Sequence, residues 1–376
     1  MKPDDCVKKC SELAALARPL CPPNPAVGCV LTSATGELLG MGATQVTGGP
    51  HAEVMALRDA TARGLPVAGA TAYVSLEPCA HHGRTGPCCD ALIAAGIKKV
   101  VASITDPNPL VAGQGFARLR AAGVEVIVGP GAAECVELNI GFFSRMLRKA
   151  PWLRMKLAAS LDGKTALENG LSQWITGEAA RADGHAWRAR ACAVLSGVGT
   201  VLQDNPRLDV RGIDTPRQPT LVVVDSQLQT PPDALLFEAK RQVIFYAAVP
   251  DESRQKALEA RGATVLYLAN SAAKVDLAAM LRDLAEREIN EVHVEAGNKL
   301  NGSLLRAGLV DELIVYLAPK LLGLGRDMAS FGPLTELSQA LPLDFKSTAM
   351  IGPDLRIVAR IRGRDQFLRD AVSLRK

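Results

Sequence analysis

No stretch of this chain approaches the roughly 18 consecutive apolar residues that a membrane span requires. The N-terminal MKPDDCVKKCSELAAL places Asp4 and Asp5 where a secretory signal would carry an unbroken apolar run. A soluble cytoplasmic protein without a membrane partner is therefore expected. Aromatic residues make up only 4% of the chain, leaving little from which to build stacking platforms for single-stranded nucleic acid. Like charges never run in a block of five, and 43 basic residues stand against 39 acidic ones, so the net charge of +4 forms no polybasic arm. No nucleic-acid partner is expected; small anionic ligands remain open. Low-complexity segments are absent, and so is a complete G-x-G-x-x-G, because Leu202 stands where the glycine after Gly197 and Gly199 should be. Nine cysteines is an odd and unevenly spread count, which argues against a secreted disulfide framework. Cys6, Cys10, Cys29, Cys135 and Cys192 lie in apolar surroundings and read as small buried hydrophobes.

What is present is an α/β alternation long enough for two cores. A single core stops growing at about 250 to 300 residues, and this chain has 376. From Asn24 to Arg148, short apolar runs such as AVGCVLT, TAYVSLEP and KKVVASITDP alternate with helical periods such as HAEVMALRDATARG and GFARLRAAG. The pattern predicts a mostly parallel sheet with helices on both faces, ending in one helical run, AAECVELNIGFFSRMLRK. The breaker RKAP at Arg148–Pro151 sets a boundary, giving domains 1–149 and 150–376. The second series contains continuous β-branched runs such as PTLVVVDSQL, as expected of strands buried on both faces.

EPCAHHGRTGPCCD, Glu77 to Asp90, puts three cysteines and two histidines into fourteen residues, with a proline before Cys79 and another before Cys88. A catalytic zinc takes three protein ligands and keeps a fourth position for water. Cys79 follows a predicted strand and Cys88 opens a predicted helix, where unsatisfied N–H groups favour a thiolate. A third ligand has to come from elsewhere, and PHAEV at Pro50–Val54 puts His51 and Glu53 at the start of another helix. Residues two apart diverge on a regular helix, so these two share a site only at the first turn, which is where they lie. Zinc nucleobase deaminases carry H-x-E followed by P-C-x-x-C, with the glutamate as a non-ligand acid/base. Here His82 occupies the second cysteine position and Cys88 comes after eight intervening residues, so a longer loop would overhang the metal. A closed structural site of Cys79, Cys88, Cys89 and a loop histidine would leave His51 and Glu53 without a role.

The ordered set PNPAVGCV, PHAEV, LEPCAHHGRTGPCCDAL and DPNPLVAGQG, then KLAASLDGKTA, SQWIT, GVGTVLQDNP, VVDSQ and VEAGNKLNGSLL, resembles the bifunctional deaminase-reductase family of riboflavin biosynthesis over nearly the whole chain. The resemblance implies a cytidine-deaminase-like α/β/α domain followed by a dihydrofolate-reductase-like α/β domain that uses NADPH. It implies that His51, Cys79 and Cys88 bind zinc, that Glu53 moves protons, and that Asn24, His81, Arg84 and Asn108 contact the substrate. The implied reaction is zinc-dependent deamination of a phosphoribosylated diaminopyrimidinone, followed by NADPH reduction of its ribose to a ribityl chain. A nucleic-acid base deaminase would share part of the motif, but sparse aromatics and near-balanced charge count against it.

In the second half, GNKLNGS at Gly297–Ser303 has P-loop spacing with Ser303 at the lysine position, which argues against nucleotide hydrolysis. A strand, EVHVEAG, runs into a glycine turn and a helix predicted from about Leu300, whose amides suit a phosphate; Gly297 would give the phosphate room or permit a positive φ. By resemblance, Ala158, Trp174, Thr200, Asp204, Ser226, Gly297, Asn298, Lys299, Leu300, Asn301, Gly302 and Ser303 touch the cofactor. Ser172, Arg188, Leu208, Arg211 and Glu295 touch the substrate, Arg188 and Arg211 offering guanidinium forks that suit a phosphate. Lys156 could face the same cleft, although alternation alone leaves its side of the strand open. The expected partner is a small phosphorylated pyrimidine, with room for a homo-oligomer.

Overall fold

The computed structural model describes residues 1–80 and 86–373. The chain divides into two compact units, Met1–Lys149 with Gln366–Lys376, and Ala150–Asp365. From sequence alone the second domain is expected to run to Lys376. Instead the final helix, Gln366–Ser373, packs on helices Ala132–Leu138 and Ile140–Arg148 of the first unit, with Arg148 4.4 Å from the Phe367 ring. Among the described residues no helix is long and apolar enough to cross a membrane.

The first unit is built on β1 (Gly28–Thr32), β2 (Leu38–Ala43), β3 (Thr71–Val74), β4 (Lys99–Ala102) and β5 (Glu125–Val128), in the order β2-β1-β3-β4-β5. The sheet is mixed rather than mostly parallel: β1 is antiparallel to both β2 and β3, while β3, β4 and β5 run parallel. Helix Ala52–Ala62 lies directly on β2 because both sides of the contact are small. A Cβ on Gly42 would sit 2.4 Å from the Ala56 nitrogen and 2.5 Å from the Ala52 carbonyl oxygen, and Ala52, Ala56 and Ala60 are fully buried. The predicted run from Ala132 to Arg148 is broken at Asn139, which leaves the helical conformation and spends its side chain on the backbone of Ala26.

The second unit holds a nine-stranded sheet of β6 (Trp152–Ser160), β8 (Ala193–Gly197), β9 (Thr220–Val224), β10 (Val243–Ala247), β11 (Ala263–Tyr267), β12 (Glu291–Val294), β13 (Glu312–Ala318), β15 (Leu343–Ile351) and β16 (Asp354–Ile361). A separate ribbon pairs β7 (Lys164–Leu167) with β14 (Gly325–Asp327). The order is β11-β10-β9-β8-β12-β6-β13-β16-β15, parallel from β11 to β13 and antiparallel for the last two strands. Leu195, Val222, Ile244 and Val292 are fully covered, each contributing about 1.5 to 3 kcal/mol of burial. One face of the central strands is polar by comparison. Arg154 pairs with Glu291 at 2.7 Å and Glu312 at 2.5 Å, and helix Glu178–Arg190 lays Asp183 against the Tyr316 hydroxyl at 2.5 Å.

Candidate active sites

In the first unit, strand directions gather the expected site at one edge of the sheet. β1 begins beside the ends of β2 and β3, through the Gly28↔Ala43 and Cys29↔Val74 pairs, and β4 ends beside β3. The segments carrying Asn24, His51, Cys79 and Asn108 all leave from that edge. His51 is the N-cap of helix Ala52–Ala62 and Cys88 is the first residue of helix Cys88–Ala94. The His51 Nδ1 lies 3.2 Å from the Cys88 Sγ and 3.6 Å from the Cys79 Sγ, and all three ligand atoms fall within 4.8 Å of one another. A tetrahedral ion bonded at about 2.0 to 2.3 Å requires ligand atoms roughly 3.3 to 3.8 Å apart, so one imidazole and two thiols in this triangle fit zinc. Hydrogen bonds from the Cys88 thiol and the His51 ring to the Cys79 sulfur hold Cys79 well below the usual thiol range. Glu53 is buried one step into the helix, and burial together with the nearby Cys79 charge pushes its carboxyl up to about 7. Cys89 is fully buried and its thiol points to Asp90 at 3.8 Å, outside the triangle. His81 and Arg84 lie outside the described residues.

In the second unit, adjacent parallel strands β9, β8, β12 and β6 deliver Ser226, Thr200, Glu295 and Ala158 at or just beyond their carboxyl ends, the usual place for a ligand on such a sheet. Helix Asn298–Arg306 starts two residues before the expected Leu300, and its first internal bond is from the Asn301 N–H to the Gly297 carbonyl. Helix Val198–Asp204 starts beside it, since a Cβ on Gly197 would come within 3.1 Å of Leu300. Two helix N-termini thus lie side by side, an arrangement suited to an anion. Gly297 has φ −73° and a Cβ there would meet Thr200 Oγ1 at 3.6 Å, an ordinary contact, so no positive φ requires this glycine. Asn301 and Gly302 turn inward. Asn301 donates to the Ala296 and Met328 carbonyls, each at 3.0 Å, and a Cβ on Gly302 would sit 2.0 Å from the Ser330 oxygen. Ser303 bonds to the Lys299 carbonyl.

The arginines expected as phosphate forks are already engaged. Arg188 grips Glu295 with two prongs, Nε to Oε1 at 2.6 Å and Nη2 to Oε2 at 2.9 Å, and its Nη1 donates to the Asp209 carbonyl. Arg211 pairs with the Asp209 carboxylate. Burial works to raise the Glu295 pKa, but Arg188 and Lys156 outweigh it and hold the carboxyl below its usual range. Burial lowers the Lys156 pKa, with the Glu295 charge working against that and the Arg188 charge adding to it. Leu208 is buried in an apolar cluster at φ 53°, its carbonyl held by Arg241 at 2.6 Å. Trp174 is 65% exposed with Arg181 stacked 4.6 Å from its ring centroid, and Ser172 and Asp204 lie on the same chain segments as Trp174 and Thr200.

The family described as RibD C-terminal domain matches residues 151–357, and the cytidine and deoxycytidylate deaminase zinc-binding region matches residues 2–104. The riboflavin biosynthesis protein RibD of Escherichia coli K12 is 45% identical over 346 residues, covering 89% of this chain and 92% of that protein. This chain belongs to the RibD family. The Haemophilus influenzae RibD is 40% identical across 96% of this chain and 98% of its own length. A structure of Acinetobacter baumannii RibD superposes with a TM-score of 0.86 at 38% identity, covering 95% of this chain and 98% of that one. The Thermotoga maritima diaminohydroxyphosphoribosylaminopyrimidine deaminase/5-amino-6-(5-phosphoribosylamino)uracil reductase gives 0.84 at 32% identity, with the same coverage. The chain is thus a bifunctional riboflavin-pathway enzyme, with an N-terminal zinc deaminase domain and a C-terminal reductase domain.

Two residues of this RibD-family chain support the first site without having been singled out from the sequence. Glu77 is buried and its carboxylate accepts four backbone N–H groups from a segment that follows β4. Asn139 clamps Ala26, two residues from Asn24, accepting from its N–H at 2.7 Å and donating to its carbonyl at 2.9 Å. A glutamate directly before Pro-Cys was the one available signal for the first. Nothing local marks Asn139, whose partner lies 113 residues away.

Proposed function

We propose that the first unit deaminates 2,5-diamino-6-(5-phosphoribosylamino)pyrimidin-4-one to 5-amino-6-(5-phosphoribosylamino)uracil. The second unit then reduces the ribosyl chain with NADPH, giving 5-amino-6-(5-phosphoribitylamino)uracil. The observation that carries the reading is the His51, Cys79 and Cys88 triangle, within 4.8 Å, with Glu53 buried on the first turn of the His51 helix. His51, Cys79 and Cys88 would hold the zinc, which would lower the pKa of a bound water to about 7. Glu53 takes the water proton, delivers it to a ring nitrogen and assists departure of ammonia, a shuttle worth about 100- to 10,000-fold. Asn24, His81, Arg84 and Asn108 orient the pyrimidine.

NADPH supplies the reducing equivalents in the second unit. The amides of Asn298, Lys299 and Leu300 and the hydroxyl of Thr200 would receive its phosphates, and Ala158, Trp174, Asp204, Ser226 and the Gly297–Ser303 turn would frame it. Ser172, Leu208, Arg211 and Glu295 hold the substrate, with Arg188 acting on it through Glu295. Glu53→Gln tests the division: it should retain zinc and lose deamination by about 100- to 10,000-fold. Oxidation of NADPH on pre-deaminated substrate should continue at the parent rate. A folded Glu53→Gln protein that loses both activities would overturn the two-site reading.

A further inference from the structure

The segment between β4 and helix Gln114–Ala121 carries Asn108; Ile104 and Val111 bury their side chains towards its two ends, while Leu110 is exposed at its tip. One carboxylate ties its backbone at both ends. Glu77, 4% exposed, accepts the Asp106 N–H at 3.1 Å and the Gly113 N–H at 2.9 Å on Oε2. On Oε1 it accepts the Gly115 N–H at 2.9 Å and the Phe116 N–H at 3.2 Å. Its own N–H is tied to the Ile104 carbonyl at 3.0 Å. Gly115 lets the backbones touch, since a Cβ there would lie 1.9 Å from the Pro78 carbonyl oxygen. Inside the segment, the Asp106 carboxylate accepts the Asn108 N–H at 2.8 Å and the Asn108 side-chain oxygen accepts the Leu110 N–H at 3.1 Å. Asn108 is half-buried, and its amide nitrogen donates to no described residue.

We propose that Glu77 is a positioning residue: by binding both ends of the Asp106–Phe116 segment two residues from Cys79, it holds Asn108 in place to bind the pyrimidine. The carboxylate suits this role because it has lone pairs for four donors, whereas a glutamine would turn an NH2 toward two of them. The inference rests on the reading of Asn108 as a substrate contact. Loss of such a contact weakens binding on the order of 10- to 100-fold.

The experiment compares the parent full-length zinc enzyme with Glu77→Gln, Asn108→Ala and the double variant. It measures zinc per chain, kcat and KM for ammonia release, the equilibrium dissociation constant of the deaminated product, and NADPH oxidation. Glu77→Gln should keep its zinc and its reductase turnover, while KM and the product dissociation constant rise on the order of 10- to 100-fold and kcat stays within about threefold. The double variant should bind no more weakly than Asn108→Ala, because Glu77 acts through that residue. Parent-like KM in Glu77→Gln, loss of zinc with KM unchanged, or additive losses in the double variant would each overturn the proposal. If Asn108→Ala keeps the parent KM while Glu77→Gln does not, the substrate role of Asn108 fails, and this route with it. Should Glu77→Gln not fold, Glu77→Asp keeps the charge on a shorter arm and should show the same rise in KM; a parent-like KM there overturns the proposal.

Discussion

The two units build their sites from different materials. In the first, the chemistry resides in side chains seated at element ends, His51 at a helix cap, Cys79 after a strand and Cys88 at a helix start, and three ligand atoms define the geometry. In the second, much of the proposed site is backbone, with two helix N-termini side by side, and its charges are engaged with one another, Arg188 with Glu295 and Arg211 with Asp209. A side-chain triangle is sensitive to the identity of each residue. A backbone cradle tolerates many side chains, and the buried Arg188–Glu295 pair ties the elements around it.

The largest effect expected from this contrast is at Cys79. A serine hydroxyl stays protonated near neutral pH and cannot serve as an anionic ligand, so Cys79→Ser should lose both zinc and ammonia release to background. Cys89→Ser should keep one zinc per chain, because the Cys89 thiol faces Asp90 and burial pushes its pKa up to about 11. Metal analysis of the two purified variants decides the matter. If Cys89→Ser strips the metal while Cys88→Ser retains it, the triangle is misassigned and the first site is not the local construction described.

A smaller but still substantial effect should appear at Arg188, whose removal leaves the Glu295 carboxylate in the interior without its two-pronged partner. Breaking such a pair costs about 3 to 5 kcal/mol, so Arg188→Ala should lower the stability of the second unit by that much. Arg188→Lys should recover only part of it, since an ammonium cannot reproduce the fork. The tryptophans number three and stand at 152, 174 and 187, so fluorescence during urea unfolding of the full chain reports on the second unit alone. An Arg188→Ala protein that unfolds with the parent would show that the pair is not what holds this cradle, and the contrast between the units would weaken.

The same contrast explains what was legible in the sequence. Cys79, Cys88 and His51 could be found because proline, a strand end and a helix start mark them locally. Strand β2 escaped the reading because LLGMGA is glycine-rich, and those glycines exist to let a helix rest on the strand. β15 escaped because its LDFKSTAMI is largely exposed at the sheet edge and shows no clean apolar alternation. The occupied state of Arg188 could not be read at all, since Glu295 lies 107 residues away and only the β8-β12-β6 order brings the two elements together. The motif order carried the family resemblance across both halves, yet said nothing about which guanidiniums were already engaged.

The smallest expected effect is a pH dependence, and it lies on β12 beside the same ion pair. His293 is fully buried, its ring nitrogens have no hydrogen-bond partner among the described residues, and Nε2 lies 3.5 Å from the Glu295 carboxylate. Burial drives its pKa down to about 3; Glu295 pulls it upward, while Arg188, Arg154 and Lys156 oppose protonation. In the unfolded chain the same ring takes a proton near pH 6.5. Between those values the unfolded state binds a proton that the folded state refuses, so this contribution to stability is intact above pH 6.5 and is lost as pH falls toward 3. The loss between pH 7.5 and 5 should be about 2 kcal/mol, above the range where exposed carboxylates titrate. His293→Leu fills a similar volume without a titrating group and should flatten the slope of the urea midpoint over that interval, read by tryptophan fluorescence. If the variant keeps the parent's slope, the acid sensitivity comes from elsewhere, and the second unit's interior is less dependent on its buried charges than its geometry implies.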